Sequence, residues 1–319
     1  MLSEVVPVEV SGLIAEREIA LYPKDEAVYS MYAYFDESEA SAEVWPAAAI
    51  SSLTGTVLQW KNFDRAWLSV LTDPQYDVTD KKGRRVFHTA EFESPEGRRG
   101  TVYENWPEPK RKSFNAALLD ALAQSGVQAN AATVIVSEYK EVSQRLIDEK
   151  MAIDAETGEG FKVFEDKYGF CAFQAMYFVG LEAMRYYPKE EIFYFFESGS
   201  THTKFVNALY DIFSKHETGQ FFRFASKPQF VSKDFAVALQ AADLIAYEAA
   251  KHNSHYRDPN PPEKHSITTE DGKAKWKTRY ALLHLNERGL DVRVQHWRKG
   301  DLESFFKFRE DGEPYPYDF

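Results

Sequence analysis

Two apolar runs in this 319-residue chain end alike: "YAYFDES" (32–38) and "FYFFESGS" (193–200) each lead into a carboxylate and then a serine. Runs that do not alternate polar with apolar residues suit strands covered on both faces, hence strands central to a sheet. As parallel neighbours, Asp36 and Glu197 would emerge at one edge about 5 Å apart, the spacing of adjacent strands. Like charges that close are unfavourable unless a proton or a cation lies between them. The plainer alternative is that each acid opens a turn or caps the next helix, where Ser200 and Thr201 would serve as well.

A third acid lies in "FAVALQAADLIAYEAA" (235–250), whose polar residues are Gln240, Asp243, Tyr247 and Glu248. Gln240, Asp243 and Tyr247 are spaced i, i+3, i+7 and so share one helix face. An aspartate amid alanines, leucine and isoleucine needs a proton, an ion pair or a metal, because a buried unpaired carboxylate is costly. Asp234 is placed in the first turn of this helix, where its charge suits the dipole. Together Asp36, Glu197 and Asp243 are a candidate metal set. Hydrolysis of a phosphodiester by two metal ions needs several carboxylates holding cations about 4 Å apart. Hard oxygen ligands select Mg²⁺ or Mn²⁺ over zinc. In "VFHTAEF" (86–92), Glu91 is a candidate fourth ligand and His88 a candidate proton-handling group, against the alternative that both decorate a charged loop.

Five basic clusters could track a phosphate backbone: 81–85, 98–100, 110–112, 275–279 and 296–300. Trp276 and Trp297 lie in the last two, where stacking would suit single strands; a solvated face is the alternative. No zinc-ligand spacing, Walker loop, dinucleotide fingerprint or serine elbow occurs.

The "DES" after the first strand, the "FHTAEF" segment and the "LQAADLIAY" helix resemble the bacterial domain of unknown function 3800 family, over roughly residues 31–252. The resemblance implies a ribonuclease H-like fold with acids gathered at one sheet edge, and no established reaction. Glu39 stands where that family usually has glycine, which bears on how closely the backbone could approach a phosphate.

These residues need positioning by a mixed α/β sheet flanked by helices. A strand at 31–36 is expected to pair in a hairpin with a second at 43–53, followed by an amphipathic helix over 57–71. Further helices are expected at 113–126, 168–187, 201–216 and 232–252, and strands at 127–139, 190–200 and within 220–231. This divides the chain into a lead-in (1–29), a ribonuclease H-like domain (30–252) with an insertion at 73–112, and a C-terminal extension (253–319). A glycine- and acid-rich loop is expected at 154–160.

The chain is 44% hydrophobic and 15% aromatic with net charge −12, which excludes disorder and argues against a general nucleic-acid coat protein. The single cysteine, Cys171, sits in an apolar helix and reads as a buried thiol. Without a leader-like start or an apolar run of about 18 residues, a cytoplasmic protein with no membrane span is expected. The expectation for function is a divalent-metal-dependent nuclease acting on nucleic acid. The alternatives are a non-catalytic adaptor on the same fold, or a metal-free carboxylate-pair hydrolase such as a glycosidase.

Overall fold

The computed structural model describes residues 30–40, 46–148, 162–199, 202–215, 217–256, 266–268, 274–276, 280–290 and 292–310. The lead-in and the 154–160 loop lie outside these residues, as do Ser200 and Thr201. Strands β1 (Met31–Ala40) and β2 (Ala47–Thr56) pair antiparallel, with Asp36 opposite Ser51. Helix α1 (Val57–Thr72) follows directly. It starts in a capping box, where the Thr56 hydroxyl accepts from the Gln59 amide and the Gln59 carboxamide accepts from the Thr56 amide. Short helices α2 (Thr89–Glu93) and α3 (Pro95–Arg98) lie in the charged region, and α4 (Glu108–Gln124) leads to β3 (Gln128–Ile135).

After β3 the chain turns into helix α5 (Val136–Asp148), where continued strand had been expected to 139. Then come α6 (Lys167–Tyr186), β4 (Ile192–Glu197), α7 (Thr203–Phe213), β5 (Gln229–Val231) and α8 (Val237–Tyr256). The stretch read as an extension holds a small β6 (Ser266–Thr268) and β7 (Ala274–Trp276) pair and helix α9 (Tyr280–Glu287). It also supplies strand β8 (Val292–Trp297) and helix α10 (Lys299–Glu310). β8 pairs parallel with β3, so this stretch completes the main sheet, whose order is β5-β4-β1-β2-β3-β8. β1 and β4 are parallel neighbours, as the two matched runs implied. The result is a six-stranded mixed sheet flanked by helices, compatible with a ribonuclease H-like architecture. Among the described residues, no helix is long and apolar enough to cross a membrane.

Alternation along β1 divides the core. Tyr32 and Tyr34 pack with α1, α4 and α8, whereas Ala33 and Phe35 pack with α6, α7 and α10. Ala49 and Ser51, small residues of β2, lie on the face covered by α8 with its buried Ala238, Ala241 and Ala242, so this helix can lie close over the sheet. Trp60 and Trp67 of α1 are fully buried, and their indole N–H groups are satisfied by the Tyr32 carbonyl (3.0 Å) and the Gln240 side chain (3.1 Å).

One close approach on the opposite face decides a stability prediction. A Cβ built on Gly180 of α6 would lie 2.0 Å from the Phe221 carbonyl oxygen. Replacing a mid-helix glycine by alanine ordinarily gains about 1 kcal/mol. Here the clash with backbone outweighs that gain, so Gly180→Ala is expected to destabilise by about 1–3 kcal/mol. A urea midpoint at or above that of the native chain would show the contact to be soft.

Candidate functional site

β1 and β4 run in register, Phe35 beside Phe196, so Asp36 and Glu197 follow side by side at the end of the paired region. Asp36 also lies opposite Ser51 of β2, and directly opposed residues share a face. The Ser51 hydroxyl donates to the carbonyl of Ala242 at 2.6 Å. That bond pins α8 over the same three-strand edge one residue before Asp243. A sheet register and one helix anchor therefore bring together acids separated by 161 and 46 positions in the sequence.

What they converge on is Lys233. Its ammonium lies 2.7 Å from Asp36 Oδ2, 3.1 Å from Glu197 Oε2 and 3.7 Å from Asp243 Oδ1. The Lys233 side chain is 9% exposed and that of Asp36 not at all, while Glu197, at 27%, sits at the mouth. The second oxygens are held as well: Asp36 Oδ1 accepts from the Glu37 amide (2.9 Å) and Asp243 Oδ2 from the Thr89 amide (2.8 Å). Burial pushes Asp36 well above the usual carboxylate range; Lys233 opposes this and the charges of Asp243 and Glu197 add to it. For Lys233, burial favours the neutral amine, but the three carboxylates outweigh it and raise its pKa above the ordinary lysine value. The ammonium therefore stays charged, the cation that so close a set of acids requires.

Gln240 holds the parts in place. Its carboxamide oxygen accepts from the Phe87 amide and the Trp67 indole, both at 3.1 Å, and its nitrogen donates to the Lys233 carbonyl at 3.1 Å. Gln240 and Asp243, three apart on the helix, thus take the amides of Phe87 and Thr89, two apart on the extended segment. The spacing in "LQAAD" is the spacing needed to dock "FHT". That docking brings the His88–Glu91 segment against the cluster through its backbone. His88 is the partly exposed residue preceding α2, and Glu91 lies in its first turn. Burial, and then the charge of Glu91, push the pKa of the Tyr103 hydroxyl upward.

Several expectations are corrected. α8 begins at Val237, so Asp234 is not a first-turn residue; it belongs to a turn in which the Ser232 carbonyl accepts from the amides of Phe235 and Ala236. Asp234 pairs instead with Arg84 at 2.7 Å. Trp297 is buried in the core, against Phe170 and Phe305, and offers no stacking face. Trp276 falls in β7, and residues 277–279 of that basic cluster lie outside the described ones. Cys171 is buried, and burial raises its thiol pKa. Lys233 went unnoticed because nothing in "VSKDF" marks it as buried. The available signal was the demand of three clustered acids for a counter-charge. Among the described residues, no group of three or more His, Cys, Asp or Glu side chains is arranged as a ready metal cage. A cleft of about 510 Å³ lined by Lys189, Tyr210 and Arg223 lies at the opposite end of β4.

Glu248 of the same helix is buried, and burial raises its pKa to about 8, with Lys251 opposing and Glu93 adding. Its unfolded value is near ~4.3. Between those limits the folded state holds a proton that the unfolded chain has lost, so stability falls as pH rises from about 4.3 to about 8. Asp36 contributes with the same sign. Glu248→Gln is expected to flatten the decline in Tm between pH 5 and pH 8; parallel pH profiles for the two proteins would contradict the assignment.

No family model matches this chain and no curated protein is matched by it, so the side-chain chemistry of the cluster is the guide to function.

Proposed function

We propose that the protein is a divalent-metal-dependent phosphodiester hydrolase, in which Asp36, Glu197 and Asp243 hold Mg²⁺ or Mn²⁺ beside Lys233. The observation that supports this reading is the convergence of acids from β1, β4 and α8 on one buried ammonium. The donor set fits such an ion, being hard oxygen throughout. Lys233 already offsets part of the carboxylate charge, and burial favours a proton on Asp36, so the cluster suits one divalent cation better than the pair expected from the acids alone. When bound, the cation would polarise a phosphoryl oxygen and lower the pKa of a water. Asp36 and Asp243 are fixed by backbone amides and serve to hold position. Glu197, the most exposed of the three, is placed to orient a water at the mouth. Lys233, permanently charged, can donate to a non-bridging phosphate oxygen as that oxygen gains charge. His88, beside the docked Thr89 amide, remains the candidate for handling the proton of the leaving oxygen, and Glu91 the candidate fourth ligand. The resemblance to the domain of unknown function 3800 family agrees with a cluster at this edge but supplies no reaction.

A second reading is favoured by the position of Lys233. A protein that had given up catalysis could keep the acids neutralised by lysine and use the fold as an adaptor. The two readings separate on metal response. Removing Lys233 leaves buried Asp36 without its nearest cation, which typically costs about 3–5 kcal/mol. Lys233→Met is therefore expected to melt well below the native protein, with Mn²⁺ restoring more Tm to the variant than to the native chain. An Mn²⁺ shift of zero in both proteins would favour the adaptor. For activity, cleavage of single- or double-stranded DNA or RNA at low salt with Mg²⁺ or Mn²⁺ is expected, lost in EDTA. In Asp36→Asn turnover should fall at least about 100-fold, an estimate taken from the worth of a charge-stabilising group. No cleavage of any polymer under either metal would end the hydrolase reading.

A further inference from the structure

The turn that delivers Lys233 to the acids also presents Phe235 to solvent, 63% exposed and two residues away. A large aromatic held out on a hydrogen-bonded turn gains nothing from the core, which is otherwise densely aromatic. The same turn carries Asp234, whose pair with Arg84 ties the Thr79–Arg85 hairpin beside it. That hairpin is rigidly built. Asp80 Oδ1 accepts from the amides of Lys82 and Arg84, both at 2.8 Å, its Oδ2 accepts from Arg84 Nε at 2.9 Å, and Gly83 takes the positive φ of 78° that closes the turn. Lys81, Lys82 and Arg85 are left exposed, and among the described residues Lys81 and Lys82 make no ion pair.

Among the described residues, several members of the other basic clusters are engaged elsewhere. Lys112 pairs with Glu108, Lys110 lies over the Trp106 ring, Arg98 donates to the carbonyls of Phe92 and Glu93, and Lys299 pairs with Glu141. In a chain of net charge −12, the hairpin at 81–85 is thus a local cationic surface joined to an exposed aromatic and to the acid cluster. Cationic groups that follow a backbone, with an aromatic face for a base, are the chemistry of single-strand binding.

We propose that the Ser232–Ala236 turn and the Thr79–Arg85 hairpin form a binding surface for single-stranded nucleic acid, with Phe235 stacking on a base and Lys81, Lys82 and Arg85 contacting phosphates. Resting on the reading of the acid cluster as a phosphodiester-cleaving site, this names the substrate class of that site. A duplex keeps its bases stacked on one another and has no free face to offer Phe235.

The test is fluorescence anisotropy with labelled single- and double-stranded oligonucleotides of roughly 12 residues, a length within the span of such surfaces, in EDTA so that nothing is cut. The single strand should bind more tightly than the duplex. Phe235→Ala should weaken single-strand binding at least about fivefold, the lower end of one stacking contact, whereas Phe235→Trp should retain it. Replacing both Lys81 and Lys82 by alanine should reduce the salt-dependence slope by about 1.4, roughly 0.7 per phosphate contact. Native affinity in Phe235→Ala, or a preference for duplex, overturns the proposal. So does a Phe235→Ala variant that dissociates a dimer while binding nucleic acid normally, since the patch would then be a self-association surface. Parallel cleavage assays in Mn²⁺ keep the two readings apart. Single-strand binding without cleavage supports the surface and removes the hydrolase, while cleavage indifferent to Phe235 does the reverse.

Discussion

An ammonium buried among three carboxylates is the constraint on which the arrangement of this edge depends. Asp36 has no solvent exposure, and its closest opposite charge is Lys233 at 2.7 Å. That ammonium offsets the repulsion among acids that end β1 and β4 side by side while α8 adds a third. Because repulsion among the acids is already offset, Lys233 rather than any one carboxylate is the residue whose loss the fold feels most. That reverses the effect the acids alone would suggest, in which neutralising one of them relieves strain.

The delivery of Lys233 is a problem of backbone geometry, solved by polar groups that never touch the acids. Gln240 fixes the carbonyl of Lys233 while accepting from Phe87 and Trp67, so one carboxamide ties the lysine turn, the segment before α2 and helix α1 to α8. Ser51 holds α8 against β2 at Ala242. The small residues of β2 and the alanines of α8 let helix and sheet approach closely enough for these bonds to form. Packing thus sets the position and hydrogen bonds set the register of the helix over the sheet edge.

Much of this was legible in the sequence where the signal was local. The unbroken aromatic runs of β1 and β4 marked central strands, and their matched endings marked Asp36 and Glu197 as neighbours. The lone aspartate in an alanine-rich helix marked Asp243. Legibility failed where burial depends on tertiary closure. Placing the start of α8 at residue 232 left Lys233 unnoticed and made Asp234 a dipole partner, whereas the chain makes a separate turn there. α5 was missed because the β-branched run "TVIV" carries strand character into a helix that begins at Val136. β8 was missed because the 253–319 segment was read as an appendage, so the basic and aromatic residues at 296–300 looked available for a ligand although Trp297 is core.

The most direct test of a cation site at this edge is a crystal soaked in Mn²⁺ and measured at a wavelength where manganese scatters anomalously. The account requires one anomalous peak within coordination distance of oxygens from Asp36, Glu197 and Asp243, about 2.0–2.3 Å, with the Lys233 ammonium moved aside to make room. A map with no peak at this edge, and Lys233 still seated among the three acids, would contradict it.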